Sequence, residues 1–203
     1  MLAVRIDSFK HLRCSYNDVM SPDDGRPRVG VSRCLLGDQV RHDGGHKRDG
    51  LLISTLGSIV QWVPVCPEVE AGMGTPREAI DLVASDDGVP AGAARVRLLG
   101  VKSRTDWTET MATFSTARVR ELLDQNLDGY VLKADSPSCG LEKVRVHQHD
   151  GVTREGRGLF AEALVKSFPN LPIEDEVRLS DPVVRRNFIA QVVEHRRRRP
   201  SGL

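Results

Sequence analysis

Three short apolar runs constrain this chain more than any other feature, because each one stops at a cysteine set among turn-forming residues. Arg28-Val29-Gly30-Val31-Ser32-Arg33 leads into Cys34, and Trp62-Val63-Pro64-Val65 leads into Cys66. Gly129-Tyr130-Val131-Leu132-Lys133 is followed by Ala134-Asp135-Ser136-Pro137-Ser138-Cys139-Gly140. Short Val-rich and Leu-rich runs bounded by turn residues read as strands. Val96 to Gly100 reads as a further strand, and Lys143 to His147 as one with a face to solvent. Between them the pattern turns helical. A short helix is expected over Leu51 to Val60, and a long one from Thr105 to about Asn126. There Asp106 and Glu109 have capping-box-like spacing, and Met111, Phe114, Val119, Leu122 and Leu123 offer an apolar face. Two more helices are expected over Leu159 to Phe168 and Pro182 to His195, the second opened by Ser180-Asp181-Pro182. Strands alternating with helices predict an α/β fold: a single domain with a largely parallel central sheet flanked by helices.

The 203 residues fit one such domain with appended ends. The polar, turn-rich residues 1–27 read as a loosely ordered leader, 28–199 as the domain and 200–203 as a tail. With 29 Lys and Arg against 28 Asp and Glu, and 39% hydrophobic residues, the chain is neither a basic polyanion wrapper nor a disordered acidic segment. No apolar run approaches the roughly 18 residues a membrane span needs, and Met1 to Phe9 has no secretory pattern. A cytoplasmic protein with no membrane partner is expected, and its four cysteines are then reduced thiols rather than a disulfide framework.

Cys34, Cys66 and Cys139 all fall at or beyond the carboxyl ends of predicted strands, where open α/β sheets collect ligands. Their spacing matches no zinc ribbon or ferredoxin motif, so only the fold can bring them together. Buried filler is the competing reading, but Ser, Arg, Pro, Glu and Gly neighbours argue for ligation or catalysis. Cys14, in the leader, has no such context. His42 and His46 flank a Gly-Gly turn with Asp43, which could supply a zinc ligand, a phosphate contact or plain turn chemistry, and a substrate-side loop is the preferred reading. His147 and His149 read as surface residues. Gly72-Met73-Gly74-Thr75-Pro76-Arg77 is a turn, and neither a P-loop nor a dinucleotide fingerprint occurs. The run Arg196 to Arg199 is read as a solvated helix end in preference to an RNA-binding arm.

Five ordered segments resemble the thiouracil desulfidase family. They are Val31 to Gly37, Arg41 to Lys47, Val63 to Glu70, Gly74 to Glu78 and Lys133 to Gly140. In detail they look most like the desulfidase domain of a two-domain subgroup acting on 4-thiouridine, whose second domain is not expected within this chain. The resemblance implies a [4Fe-4S] cluster bound by Cys34, Cys66 and Cys139 with one iron left open. It also implies non-redox, hydrolytic removal of sulfur from thiouracil, 4-thiouridine, its monophosphate, or 4-thiouridine in tRNA. Glu68 matches the expected general base, and Ser136 the serine that bonds substrate or relays a proton. Asp43, His46, Lys47 and Arg77 fall in family motifs and are expected to anchor substrate. The rival reading is an RNA-binding module in which Cys34, Cys66, Cys139 and His46 close a structural zinc site and the Arg run contacts RNA.

Overall fold

In the computed structural model, residues 25–85 and 95–199 are described. The expected leader up to residue 24, Cys14 with it, and the tail 200–203 lie outside them. The cysteine-bearing runs form the strands β1 (Arg28–Ser32), β2 (Gln61–Val65) and β5 (Gly129–Leu132). With β8 (Ile173–Asp175) they build one sheet in the order β2-β1-β5-β8, parallel throughout. Strands of such a sheet are covered on both faces, so β1 and β5 show near-continuous burial rather than alternation. Val29, Val31 and Val131 face one apolar layer with Leu52 and Leu56 of α1 (Gly50–Leu56) and Phe188 and Val192 of α5 (Pro182–Arg198). Tyr130 and Leu132 face the opposite layer. That layer holds Met111, Val119 and Leu122 of α3 (Thr108–Asp124) and Phe160 and Leu164 of α4 (Leu159–Ser167).

The single-domain α/β reading holds, but the parallel sheet does not stand alone. A second, mixed sheet runs β4-β3-β6-β7, from β3 (Ile80–Ser85), β4 (Arg95–Gly100), β6 (Val144–Gln148) and β7 (Gly151–Gly156). Only its central β3–β6 pair is parallel. Leu82, Leu98, Val144 and Val146 bring this sheet into the same layer as Tyr130 and Leu132. In β6 the expected alternation is present, with Val144 and Val146 buried and Arg145 exposed.

Helix α3 begins three residues later than its sequence suggested. Residues 105–107 instead continue the pairing with β4: Gly100 N donates to Thr105 O at 2.9 Å, and Trp107 N donates to Leu98 O at 2.8 Å. The N-cap position falls on Trp107, with no side-chain cap, and Asp106, one residue earlier, accepts from Thr108 N at 2.9 Å in place of the expected capping box. Leu123, expected on the apolar face, is 48% exposed. Asp181 caps α5 as its sequence indicated, accepting from Val183 N at 2.7 Å. The arginines at the end of α5 are not all solvated: Arg199 Nη2 and Arg196 Nη1 reach the wholly buried Asp128 at 2.7 and 3.4 Å.

Candidate active site

The carboxyl ends of β2, β1 and β5 are neighbours in the sheet, and each feeds a different kind of turn. After β1 the chain winds through a single 3₁₀ turn, Arg33–Leu36, that carries Cys34 and ends at Gly37 with φ 110°, a left-handed geometry suited to glycine. Cys34 O accepts from Lys47 N at 3.0 Å, which ties the Arg41–Lys47 loop back to this turn. After β2, Cys66 is the N-cap of the one-turn helix α2 (Pro67–Glu70). The Glu70 carboxylate accepts from Cys66 N at 2.8 Å and pairs with Arg118 Nε at 3.0 Å, fixing this turn to α3.

After β5, the Cys139 loop is organised by Ser136, whose Oγ accepts from Cys139 N at 3.0 Å and Ser138 N at 3.3 Å. The loop then caps α4, whose first amides have no side-chain cap. Leu159 N donates to Pro137 O, Phe160 N and Ala161 N to Ser138 O, and Gly158 N to Gly140 O, at 2.8–3.2 Å. Orphan helix amides are thus satisfied by the backbone that carries a candidate ligand.

All three cysteines line one cavity of about 200 Å³, together with Glu68, Arg77 and Ser136. Burial pushes the Cys34 thiol up to about 11, with nearby Cys66 adding to the rise and Arg41 and Lys133 opposing it. Burial also raises Cys66 and, well above its ordinary value, Cys139, which senses both other cysteines. Three neutral thiols sharing a water-poor cavity ionise readily only when a cationic centre is there to receive them.

Glu68 and Arg77 form a buried ion pair, through Arg77 Nη2 and through Nε at 3.1 Å, both to Oε2. Arg77 Nη1 also donates to Gly74 O at 2.8 Å and Val40 O at 3.1 Å. Lys133 lines the cavity in an ion pair with Glu176, whose second oxygen accepts from Ala134 N at 2.7 Å. Nothing local in the sequence marked Glu176, because its partner lies across the sheet. The Arg77 pairing crosses a single turn and was legible only as a motif.

Asp43, His46 and Lys47 do not line the cavity. Asp43 Oδ1 accepts from Gly45 N at 2.9 Å, and the exposed His46 accepts from Arg48 N at 3.2 Å through Nδ1. The sequence's turn chemistry is therefore realised at these two residues. It also bears on the zinc rival. His46 is not among the residues lining the cavity with the cysteines, and among the described residues no three His, Cys, Asp or Glu side chains are grouped to hold one ion. A single zinc needs all its ligands within about 2.3 Å. Three thiols lining one cavity, without a fourth His, Cys, Asp or Glu grouped with them among the described residues, fit a polynuclear group that leaves one position open. The buried Arg41 Nε, unpartnered among the described residues, supplies a donor where such a group's sulfur would accept.

The sequence pattern of the 2-thiouracil desulfurase family matches residues 29–176. The chain belongs to that family. The matched stretch takes in all three cysteine turns, Glu68, Arg77, Ser136 and Glu176. A solved structure of the [4Fe-4S]-dependent thiouracil desulfidase TudS is similar to this chain, with a TM-score of 0.63 and 25% identity. That likeness covers 81% of this chain and 99% of the other. YbbK of Bacillus subtilis strain 168, an uncharacterised protein, is 28% identical over 148 residues, which is 72% of this chain and 95% of YbbK. Among the described residues, no helix is long and apolar enough to cross a membrane.

Proposed function

We propose that this chain removes sulfur from thiolated pyrimidines, without net redox change, at a [4Fe-4S] cluster held by Cys34, Cys66 and Cys139. The observation that carries this reading is the convergence of three thiols, from the ends of three adjoining parallel strands, on one cavity with Glu68 and Ser136. Membership of the family and the likeness to TudS support it. Three cysteines leave one iron open, and when bound the group supplies there a soft Lewis acid for a thiocarbonyl sulfur. The balanced reaction takes the thiocarbonyl compound and water to the oxo-pyrimidine and hydrogen sulfide.

Proton handling falls to the chain's own residues. Arg77 holds Glu68 through Oε2, and Oε1 accepts no hydrogen bond among the described residues, so it is the atom to take a proton from the attacking water. The Ser136 oxygen is engaged as an acceptor by two loop amides, which leaves its hydroxyl proton to donate toward the substrate. A cavity of about 200 Å³ is smaller than the roughly 300–1,000 Å³ of pockets that enclose whole ligands. The cluster takes part of that volume, so of the substrate at most the base reaches in, and any ribose, phosphate or RNA stays outside. There it meets the loop bearing Asp43, His46 and Lys47, and Arg145, a cavity-lining arginine with no partner among the described residues. The substrate class is thus thiouracil, 4-thiouridine and its monophosphate, with 4-thiouridine of tRNA as the largest member. Reduced thiols and an open iron suit a cytoplasmic setting.

The test is anaerobic reconstitution with iron and sulfide, then incubation with thiouracil and 4-thiouridine monophosphate. Release of sulfide together with the oxo-pyrimidine is expected. A fully loaded protein that turns over neither compound refutes the proposal.

A further inference from the structure

Native folds leave few buried donors without acceptors, since each costs about 1–3 kcal/mol. Among the described residues near the cysteines, the Ser138 hydroxyl, next to Cys139 in its loop, is one such group, and two more come from outside the cysteine turns. Arg41 Nε is buried and unpartnered, although Arg41 lines the cavity that the three thiols share. Its nearest carboxylate oxygen, Asp43 Oδ1, is 3.8 Å away and is engaged by Gly45 N at 2.9 Å. The Arg41 guanidinium is close enough to the Cys34 thiol to favour its ionised form.

The second is the Tyr130 hydroxyl. Tyr130 is wholly buried in β5, in register with Gly30 of β1. A Cβ at Gly30 would stand 3.0 Å from Tyr130 Cγ and closer still to two other ring carbons, so the absence of a side chain there makes room for the ring. Phe160 packs on the ring with centroids 6.1 Å apart. The fold thus fixes this phenol firmly, yet leaves its oxygen without a partner. Tyr130 does not line the thiol cavity, but it shares one buried cluster with Cys139, and Cys139, Glu70, Arg118 and Cys66 all act on its phenol. Glu70, the one carboxylate in that set, is already committed to Cys66 N and Arg118 Nε.

We infer that Arg41 and Tyr130 are sulfur-directed donors: Arg41, which lines the cavity, gives its orphaned hydrogen to a sulfur of the bound cluster or to the Cys34 thiolate, and Tyr130, behind the cavity wall, gives its hydrogen to the Cys139 thiolate once the cluster has ionised it. This rests on the cluster reading above and goes beyond it, because it assigns two residues outside the ligand, base and serine roles. Thiolates and bridging sulfides are anionic, polarisable acceptors, and they are the acceptors these donors lack. A reduced cluster carries one more negative charge than an oxidised one, so both donors favour the reduced form and raise the midpoint potential.

The experiment uses Tyr130→Phe, which removes only the hydroxyl, and Arg41→Lys, which keeps the charge but removes Nε. Each is compared with the wild type, loaded and cluster-free, under argon. Iron loss to a chelator is expected to quicken about tenfold in each variant, the scale of one hydrogen bond to a charged acceptor. The midpoint potential is expected to move negative, while the thermal midpoint of the cluster-free chain is unchanged or higher. Equal destabilisation of loaded and cluster-free Tyr130→Phe would mean that the hydroxyl serves a buried water instead, and would overturn the inference. So would loaded variants that match the wild type in chelation rate and potential. A wild-type chain that takes up no iron overturns the functional reading itself, an outcome distinct from either.

Discussion

Gly158 offers the sharpest test of how the Cys139 loop is held, because its side chain would have to enter the seam between that loop and α4. A Cβ there would stand 2.8 Å from Cys139 N and closer still to the carbonyl carbon and oxygen of Ser138, all backbone atoms that cannot swing aside. Relief in Gly158→Ala needs the loop and helix to part by about 1 Å, an order-of-magnitude figure from ordinary carbon contact distances. The four amide bonds that cross the seam run at 2.8–3.2 Å, so that shift takes most of them beyond bonding range. Losing two or three at about 1 kcal/mol each, with 1–3 kcal/mol of overpacking, gives roughly 3–6 kcal/mol. For a chain of this size that lowers the thermal midpoint by about 10 °C or more. Differential scanning calorimetry of the cluster-free protein reads the stability, and iron per chain after reconstitution reads the displacement of Cys139. Gly50→Ala is the control, since a Cβ there meets nothing within 4 Å. If Gly158→Ala melts within a degree of wild type and loads iron fully, the seam does not position the ligand and the reasoning fails.

Glu68→Gln is expected to keep its iron and bind thiolated substrate while single-turnover kinetics slow by about 10²-fold or more; wild-type turnover would remove this carboxylate from the base role. Ser136→Ala loses the acceptor for two loop amides as well as a donor to substrate, so it is expected to cost about 1–2 kcal/mol in urea unfolding and to lower iron content along with turnover. Asp128→Ala, which removes the buried carboxylate that accepts from Arg28 N and pairs with Arg196 and Arg199, is expected to cost about 3–5 kcal/mol by chemical denaturation. In the cluster-free protein the Cys34 thiol is raised from 9.0 to about 11, so its share of stability is full below pH 9 and lost as pH rises through 11. Two pH units correspond to about 2.7 kcal/mol, and Cys34→Ser is expected to show a correspondingly shallower alkaline loss in unfolding curves at pH 8 and 11.

The strands that carry cysteines were legible because β1 and β5 are buried on both faces and therefore apolar almost throughout, and because β2, at the sheet edge, still sets Trp62, Val63 and Val65 in one short apolar run before Cys66. Of the second sheet, β4 and β6 were legible as strands, but β3, β7 and the sheet itself were not. Ile80-Asp81-Leu82-Val83 has strand-like alternation, yet its place is set by β6, whose Val146 and His147 pair with Leu82 and Val83 from far along the chain. Ile173–Asp175 is too short to announce itself and is a strand only because β5 lies beside it. The same distinction governs the site. Cysteine, Glu68 and Ser136 were readable as residue types at strand ends and in motifs. The clasp of Arg199 on Asp128, the Lys133–Glu176 pair and the orphaned Tyr130 hydroxyl depend on which segments the fold brings together, and no local pattern encodes that.

The order of strands in the parallel sheet is not their order in the chain, and this has a consequence for biosynthesis. Cys34 and Cys66 leave the ribosome on β1 and β2, which already neighbour each other, while Cys139 follows only after a 73-residue interval. At roughly 5–20 residues per second, the nascent chain spends about 4–15 s displaying two thiols without the third. During that window it is a poor recipient for a cluster and a good candidate for mispairing with any oxidant or stray metal ion. Insertion of β5 beside β1 ends the window by completing the set of three. On the proposed ligand set, a cluster finds all three of its ligands only in chains that have already inserted their central strand, so the sheet's topology would order folding before loading.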